Sequence, residues 1–349
     1  MLRQDRCHAP CAHAPRRRTA HGRPARRRRV RHLVRRGGGG VAVARRRPRT
    51  ARRRAFRPHP RRFRQRNSAR SPNGGRIVST VHALNFAYRE APDATETPQA
   101  RHGLGIVAVA SGKGGVGKTW FSITLAASLA RKGLKVLLFD GDLGLANVDI
   151  QLGLFPQRDL GHYFSGSHPL RECVTAYDAG KFDILAGRSG SGNLATLPQT
   201  RFAQLVRDLY ELSADYDATI IDLGAGIEAH TRGLAALSRT CVIVTNDEPT
   251  SLTDAYAFVK VLTINRQRTD VRVVVNCTSN HTQGQRIHET LAKACREFLK
   301  FEPGLLGTVR RDGRVRDAIH AQTPLPVRHP GANAAVDVEV IAQRLIDRV

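Results

Sequence analysis

Paired cysteines, methionine and aromatic side chains are scarce in this chain. Its 349 residues contain six cysteines, one tryptophan and no methionine after Met1, and aromatic residues make up only 5%. No two cysteines form a Cys-x-x-Cys pair, which argues against a zinc or iron–sulfur site, and their irregular spacing does not suggest a disulfide scaffold. We therefore expect a protein of the reducing cytoplasm.

Long apolar runs are also absent. Runs such as those at 106–110 and 136–139 have the length of a strand, whereas a membrane-spanning helix needs about 18 to 20 apolar residues. The arginine-rich N-terminus is not followed by the apolar core of a secretory signal. The sequence thus gives no reason to expect a membrane-spanning or secreted protein.

Acidic residues are almost missing from the first 80 positions. This segment holds 27 arginines, no lysine and one acid, Asp5, so its net charge is +26, whereas the rest of the chain has a net charge of +2. With few apolar residues, the segment cannot bury enough surface to offset the entropy lost on ordering. We predict that residues 1–80 are disordered, that 81–104 form a linker and that 105–349 fold as one domain.

Three interpretations of the arginine-rich segment are open. It could be a basic arm that binds nucleic acid, or an organelle transit peptide, which is likewise rich in arginine and poor in acids. The third interpretation, which we favour, is a mis-assigned start: GC-rich DNA upstream of a non-ATG codon near Val78 or Val81 is being read as protein. Peptides from residues 1–70 in mass spectra of the native protein would contradict it.

Short apolar segments alternate with amphipathic ones from residue 105 onward. The predicted strands lie at 106–111, 135–140, 182–186, 218–222, 241–246, 271–276 and 305–309. The predicted helices lie at 120–132, 199–213, 251–265 and 283–299. Apolar strands separated by helices are typical of an α/β fold with a doubly wound, mostly parallel sheet that is covered on both faces.

A phosphate-binding motif stands between the first predicted strand and the first predicted helix. The pattern G-x-x-x-x-G-K-[ST] is matched by Gly112-Lys113-Gly114-Gly115-Val116-Gly117-Lys118-Thr119. Its glycines let backbone N–H groups turn inward around the phosphates, and the helix N-terminus favours their negative charge. Lys118 is expected to reach the β- and γ-phosphates, and the Thr119 hydroxyl to bind Mg²⁺. The motif predicts a P-loop nucleotide-binding protein.

The second lysine of the motif, Lys113, makes it more specific. With this lysine the loop resembles the deviant Walker A motif of the MinD/ParA group of ATPases, and the resemblance extends over residues 105–349. It implies a P-loop NTPase fold of the SIMIBI, MinD-like type and slow, partner-stimulated hydrolysis of ATP. It also implies that Lys113 reaches the nucleotide across an ATP-dependent homodimer, where other NTPases use an arginine finger.

Three aspartates lie at or just after the ends of predicted strands, where a doubly wound sheet binds its ligands. Asp222 closes Ala-Thr-Ile-Ile-Asp and is expected to be the Walker B carboxylate that holds Mg²⁺. By the resemblance, Asp142 orients or activates the attacking water, and Asp140 supports Mg²⁺. The resemblance also makes residues 224–227 the second switch, and it assigns recognition of the adenine base to Asn276, which ends Val-Val-Val-Asn.

Two positions near the predicted base site depart from the family pattern. The family often has arginine after the asparagine, where this chain has Cys277. It usually has a proline and an acid after the last strand, where this chain has Arg310-Arg311-Asp312.

Within the group, three stretches resemble the flagellar number and placement regulators (FlhG/FleN type, MotR-like). They lie at 140–149, 222–227 and 248–261, and the third reads Glu-Pro-Thr-Ser-Leu-Thr-Asp-Ala-Tyr-Ala-Phe-Val-Lys-Val. The resemblance implies control of flagellar number or placement through a flagellar GTPase, a basal-body component or a transcription activator. It implies action in the cytoplasm or at the inner face of the cell membrane.

The last residues form an amphipathic segment. Its apolar face holds Val338, Ile341, Ala342, Leu345 and Val349. Its polar face holds Asp337, Glu339, Arg344, Asp347 and Arg348. A membrane-surface helix should be basic, so we expect this segment to dock on the sheet, and membrane association is implied by the family alone.

Other functions of the same fold are alternatives. A ParA-type chromosome, plasmid or cargo partitioning ATPase would need a basic surface, and the net charge of +2 beyond residue 80 argues against nucleic-acid binding by the folded domain. A MinD-type division-site regulator should carry a terminal membrane helix. An iron–sulfur carrier would need a Cys-x-x-Cys pair.

Overall fold

The computed structural model describes residues 103–187, 197–264 and 269–349. The predictions for residues 1–80, and for the linker up to residue 102, lie outside these ranges. The described strands are β1 (Gly105–Ala110), β2 (Val136–Gly141), β3 (Val174–Tyr177), β4 (Phe182–Leu185), β5 (Ala218–Leu223), β6 (Thr240–Thr245), β7 (Asp270–Thr278) and β8 (Gly304–Arg310).

The described helices cover both faces of these strands. They are α1 (Lys118–Arg131), α2 (Val148–Leu152), α3 (Leu160–Phe164), α4 (Gln199–Ser213), α5 (Ala229–Leu237), α6 (Pro249–Ile264), α7 (His281–Leu299), α8 (Arg314–His320), α9 (Leu325–Arg328) and α10 (Asn333–Ile346). A 3₁₀ turn, Leu170–Cys173, precedes β3.

The described strands form one sheet in the order β3-β4-β2-β5-β1-β6-β7-β8. Neighbouring strands are parallel except β3 and β4, which are antiparallel. From the central strand β1 the chain crosses over to β2 on one side, and later it adds β6, β7 and β8 on the other. The predicted doubly wound, mostly parallel sheet is confirmed, and its ligand crevice lies beyond the C-terminal ends of β5, β1 and β6.

Two apolar cores cover the sheet, one on each face. Val107 and Val109 of β1 belong to the core under α1 and α10, whereas Ile106 and Ala108 belong to the core under α4, α6 and α7. Since both faces of each central strand are buried, these strands read as continuous apolar runs without alternation. The sheet is therefore a rigid support for the loops that leave its C-terminal edge.

The structure contains elements that the sequence pattern did not predict. β3 was missed because it has only four residues, lies at the sheet edge and is only partly buried. Its hairpin to β4 turns at residues 178–181, where Lys181 has φ 58°. Helix α5 was missed because Gly233 interrupts its helical pattern; an added Cβ there would lie 2.6 Å from the Phe202 ring, so the glycine allows α5 to approach α4.

The C-terminal helix α10 docks on the sheet, as predicted. Val338, Ile341 and Leu345 are buried where α10 packs against α1 and β8. The placement of Asp337 on the exposed polar face was wrong, because this carboxylate is 4% exposed and pairs with Arg310 at the end of β8. Among the described helices, none is long and apolar enough to cross a membrane.

Candidate nucleotide-binding site

The phosphate loop runs from the end of β1 to the start of α1. Gly115 and Gly117 have φ values of 82° and 90°, in the left-handed region that favours glycine. A Cβ at Gly117 would also lie 2.4 Å from the side-chain nitrogen of Asn276. Gly114 and Gly115 face open space. The loop is thus a glycine-lined cradle that places the N-terminus of α1 toward a ligand.

The start of this loop is packed against helix α6. A Cβ at Gly112 would lie 2.3 Å from the backbone carbonyl carbon of Asp254. Glycine at this position is therefore required by close backbone approach as well as by the motif. Gly226 N–H donates to the carbonyl of Ser111 at 3.0 Å, so the loop after β5 is also tied to the phosphate loop.

Lys118 is buried at the start of α1 and already has an anionic partner. Its Nζ lies 3.0 Å from Oδ1 of Asp222, and the Ser122 hydroxyl donates to the same oxygen at 2.8 Å. Ser122 was not predicted from the sequence. It stands four residues after Lys118 on the same helix, a spacing that places both side chains on one helix face. The arrangement fixes the Lys118 ammonium group at the Asp222 carboxylate.

Asp140 and Asp222 lie side by side on neighbouring strands. The parallel register of β2 and β5 pairs these two residues directly. Asp140 is 1% exposed and accepts N–H groups from Asp142, Asn147 and Val148. Burial, followed by the charge of Asp222, raises the pKa of Asp140 to about 7. The pair therefore places two carboxylates next to each other in a buried environment. A bound cation would reduce the repulsion between them.

The oxygen atoms near the phosphate loop suit Mg²⁺. The Thr119 hydroxyl is in the first turn of α1, and the Asp222 carboxylate already lies beside Lys118. Mg²⁺ is usually held by one or two carboxylates or hydroxyls together with waters and substrate phosphates. The residues present therefore fit a magnesium–nucleotide complex, with Asp140 beside Asp222 on the neighbouring strand.

Asp142 lies where two loops approach each other. Its Oδ1 accepts N–H groups from Leu145 at 2.9 Å and Gly144 at 3.3 Å. A Cβ at Gly224, in the loop after β5, would lie 3.4 Å from the Asp142 carboxylate. The structure thus brings Asp142 to the predicted second switch.

Lys113 points out of the phosphate loop toward the start of α6. Its Nζ contacts the Glu248 carboxylate and donates to the Thr250 hydroxyl at 2.9 Å. The bond from Lys113 lowers the pKa of Glu248, with a smaller contribution from the Asn246 side chain. Glu248 and Thr250 were missed as site residues, although both lie in the stretch at 248–261 that carried the family resemblance.

Asn276 is buried at the end of β7 and contacts the phosphate loop. Its Nδ2 donates to the carbonyl of Val116 at 2.8 Å, and its Oδ1 accepts the Cys277 N–H at 2.8 Å. The structure therefore places Asn276 beside the phosphate loop. Its role in reading the adenine base stays a prediction.

Comparisons with known proteins agree with this geometry. Residues 107–325 match the model of the CobQ/CobB/MinD/ParA nucleotide binding domain. The chain is similar to the antiactivator FleN of Pseudomonas aeruginosa, with 34% identity over 70% of this chain and 87% of that protein. It is also similar to the flagellum site-determining protein YlxH of Helicobacter pylori, with 29% identity over 70% of this chain and 82% of that protein.

The solved structures support the fold independently. The cell division ATPase MinD of Pyrococcus furiosus superposes with a TM-score of 0.60, and the match covers 70% of this chain and 99% of that one. The identity is 21%, so the likeness concerns the fold alone.

Proposed function

The chain belongs to the CobQ/CobB/MinD/ParA nucleotide-binding domain family and is a P-loop ATPase of the MinD/ParA type, and from this premise we propose that it is an ATP-dependent dimer switch that controls flagellar number and placement. ATP joins two copies face to face, the joined form presents a surface to its partners, and slow hydrolysis separates the copies.

The position of Lys113 is the observation that carries the dimer switch. Its ammonium group lies on Glu248 and Thr250, outside the cradle in which Lys118 is buried. A lysine held at the surface of its own subunit is available to the phosphates of a facing subunit. The Lys113–Glu248 pair is solvent-exposed, so giving it up costs little.

Exposed apolar side chains support the same face as a contact between copies. Leu145 is 73% exposed in the loop after β2, and Ile227 is 40% exposed in the loop after β5. The loop after β2 contacts the loop after β5 where Asp142 approaches Gly224, and the loop after β5 is bonded through Gly226 to Ser111, directly before the phosphate loop. Apolar residues next to nucleotide-sensing loops fit a surface that is covered only in the ATP-bound form.

Each predicted site residue has a role in hydrolysis. The loop N–H groups and Lys118 bind the β- and γ-phosphates. Thr119 and Asp222 would hold Mg²⁺, with Asp140 supporting the site, and the ion would neutralise charge on the phosphates. Asp142 orients the attacking water, and Lys113 of the facing copy stabilises the charge that develops on the transferred phosphoryl group.

The flagellar output is supported by the relatives. FleN is named an antiactivator and YlxH a flagellum site-determining protein, and both match along most of their length. A flagellar GTPase, a basal-body component or a transcription activator would be the partner, met in the cytoplasm or at the inner face of the cell membrane. The docked α10 offers little to a membrane, so recruitment there would come from a partner.

The Asp142→Ala variant tests the switch. We expect it to bind ATP but to hydrolyse it at least about 100-fold more slowly, because the water loses its orienting carboxylate. Light scattering should therefore find a lasting ATP-dependent dimer, and Lys113→Ala should form none. Asp178→Ala, an exposed aspartate in the β3–β4 turn, is the matched control and should behave as wild type.

The flagellar output is tested in the host. Deleting the gene should change the number or position of flagella per cell, and the wild-type chain should restore it whereas Asp142→Ala should not. Normal hydrolysis by Asp142→Ala would contradict the role of this residue. Unchanged flagella in the deletion strain would leave the ATPase intact but contradict the output.

A further inference from the structure

An apolar cavity opens at the N-terminal edge of the sheet, opposite the edge that carries the phosphate loop. Its volume is about 220 Å³, and it lies where α6 ends, β7 begins and α7 ends. An apolar cavity of about 150 Å³ already holds a benzene ring, so this one has room for an aromatic side chain. The lining consists of Leu262, Thr263, Thr269, Val271, Leu299 and Phe301.

Two large apolar side chains stand exposed beside this cavity. Ile264 is 65% exposed and follows Thr263 of the lining, and Phe298 is 68% exposed and precedes Leu299 of the lining. Single exposed apolar residues are common, whereas an apolar patch around a concave surface marks a binding site. We name the cavity together with Ile264 and Phe298 the α6–α7 groove.

The chain enters the fold at the same edge of the sheet. β1 begins at Gly105, and the parallel strands β6 and β7 begin at Thr240 and Asp270. Arg239 N–H donates to the carbonyl of Ile106 at 2.9 Å, and Asp270 N–H donates to the carbonyl of Arg239 at 3.0 Å. Since neighbouring strands are about 4.8 Å apart, the chain reaches β1 about 10 Å from the start of β7, which borders the groove.

The segment before β1 contains a group of apolar residues. Leu84, Phe86 and Tyr88 stand at every second position, so an extended chain places them on one side. Residues 89–103 contain no large apolar side chain and separate this group from β1. An extended chain spans about 3.3–3.6 Å per residue, so these 15 residues can cover about 50 Å. The tether is therefore long enough for the group to reach the groove.

We propose that residues 84–88 dock in the α6–α7 groove of their own chain, with the Phe86 ring in the cavity and the two flanking apolar side chains on its rim. A short tether keeps a segment at a millimolar local concentration, which favours it over a free partner or a second copy. The docked segment covers the exposed apolar surface of the groove. The inference does not depend on ATP hydrolysis, and it holds for a start at Met1, Val78 or Val81.

Cleavage by glutamyl endopeptidase tests the docking on the full-length protein. The first glutamates of the chain are Glu90 and Glu96, and each has a proline two positions later. A protease cuts such a segment only while it is undocked, so the rate of cleavage reports the undocked fraction. Glu90 lies two residues from Tyr88, so we expect it to be cut at least about 10-fold more slowly than Glu96.

The Phe86→Ala variant removes the side chain that fills the cavity. It should raise the rate of cleavage after Glu90 about 10-fold or more, because burial of an aromatic ring contributes more than one factor of ten. Cleavage after Glu96 should stay unchanged. Asn85→Ala is the matched control, since Asn85 falls on the other side of an extended segment, and it should keep the slow cleavage of wild type.

The groove is tested from its own side with Ile264→Ser and Phe298→Ser. Both residues are exposed, so these variants should fold with the wild-type melting temperature. Each should raise the rate of cleavage after Glu90 about threefold or more, because part of the apolar contact is lost. Val336→Ser is the matched control: this valine is 42% exposed on α10, and its loss should leave the rate unchanged.

The other outcomes overturn the inference. Equal cleavage after Glu90 and Glu96 in the wild-type chain would leave the groove open to a separate partner. Protection of Glu90 that increases with protein concentration would make the segment of a second copy the occupant. Protection that persists in both Ile264→Ser and Phe298→Ser would place the segment elsewhere on the protein. The proposed function would stand in each case, because the test does not involve the nucleotide.

Discussion

Two groups of charges lie at the same edge of the sheet and are organised in opposite ways. The first group lies beside the phosphate loop and comprises Lys118 at the start of α1, Asp140 at the end of β2 and Asp222 at the end of β5. The second, which we name the C-terminal corner, comprises Arg310, Asp312, Arg314, Asp317, Arg328, His329 and Asp337. In the corner every carboxylate has a cationic partner, whereas the nucleotide site holds two adjacent buried carboxylates and one buried lysine.

The C-terminal corner shows what matched charges do for a fold. The Arg310 guanidinium holds both oxygens of Asp337 at 2.8 and 2.9 Å, and the Arg310 N–H donates to the same carboxylate at 2.9 Å. Arg328 and His329 lower the pKa of Asp317 to about 2. These ion pairs hold β8 to α10 and α8 to α9.

In the nucleotide site the pKa of a carboxylate is shifted in the opposite direction. Burial and the neighbouring Asp222 raise the pKa of Asp140 to about 7, although three backbone N–H groups bind its carboxylate. Charge that a fold keeps without full compensation lowers its stability, and such groups cluster at functional sites. The comparison indicates that the corner serves the fold and that the crevice serves a cationic and phosphate-bearing ligand.

The largest effect is expected from Lys118→Ala. The variant should lose at least about 100-fold in affinity for ADP, since the β-phosphate loses a charge-assisted hydrogen bond. It should also unfold about 3–5 kcal/mol more easily, because Asp222 is left as a buried unpaired charge. Calorimetry and urea denaturation measure the two effects.

Lys132→Ala is the matched control for this change. Lys132 follows α1 at the other end of the helix, and its ammonium group donates to the exposed Gln343 side chain at 2.9 Å. Both quantities should stay at their wild-type values. If Lys118→Ala bound ADP as tightly as Lys132→Ala, the charges of the crevice would not serve a phosphate ligand.

The next effect is expected from Asp337→Ala in the corner. Removing this buried carboxylate leaves the half-buried Arg310 guanidinium and the Arg310 N–H without their acceptor, which should lower the free energy of unfolding by about 2–3 kcal/mol. The affinity for ADP should change less than about threefold, because the corner serves the fold. A loss of ADP affinity as large as that of Lys118→Ala would remove the distinction between the two regions. Glu339→Ala, on the same helix with a half-exposed partner, is the control and should cost little.

The sequence was sufficient for the fold class and for the position of the phosphate loop. Apolar runs identify central strands because both of their faces are buried, and the loop motif is contiguous. The sequence was not sufficient to predict contacts between segments that are distant along the chain. The pairing of Lys113 with Glu248, of Asn276 with the Val116 carbonyl, and of Asp337 with Arg310 depends on which strand ends become neighbours. Strand order decides this, and hydrophobic periodicity does not encode strand order.

The smallest expected effect is a dependence of the free energy of unfolding on pH that differs between the two regions. For Asp140 the folded pKa of about 7 lies above the ordinary value of 3.8. The folded state therefore holds a proton that the unfolded state has lost, and stability falls as pH rises between these values. This group alone should lower the free energy of unfolding by about 2 kcal/mol between about pH 5.5 and 7.5. Urea denaturation of wild type and Asp140→Asn across this range should show that slope in wild type only.

Asp312→Asn is the matched control, with the opposite sign of shift. Its ion-pair partner is Arg314, which stays charged throughout this range. Burial acts to raise the pKa of Asp312, but its hydrogen bonds to Arg314 outweigh burial and lower it, so this carboxylate is ionised in both states between about pH 5.5 and 7.5 and the variant should keep the wild-type slope. If Asp140→Asn also showed the wild-type dependence of stability on pH, Asp140 would be ionised in the folded protein throughout this range. The carboxylates of the nucleotide site would then be compensated as fully as those of the C-terminal corner.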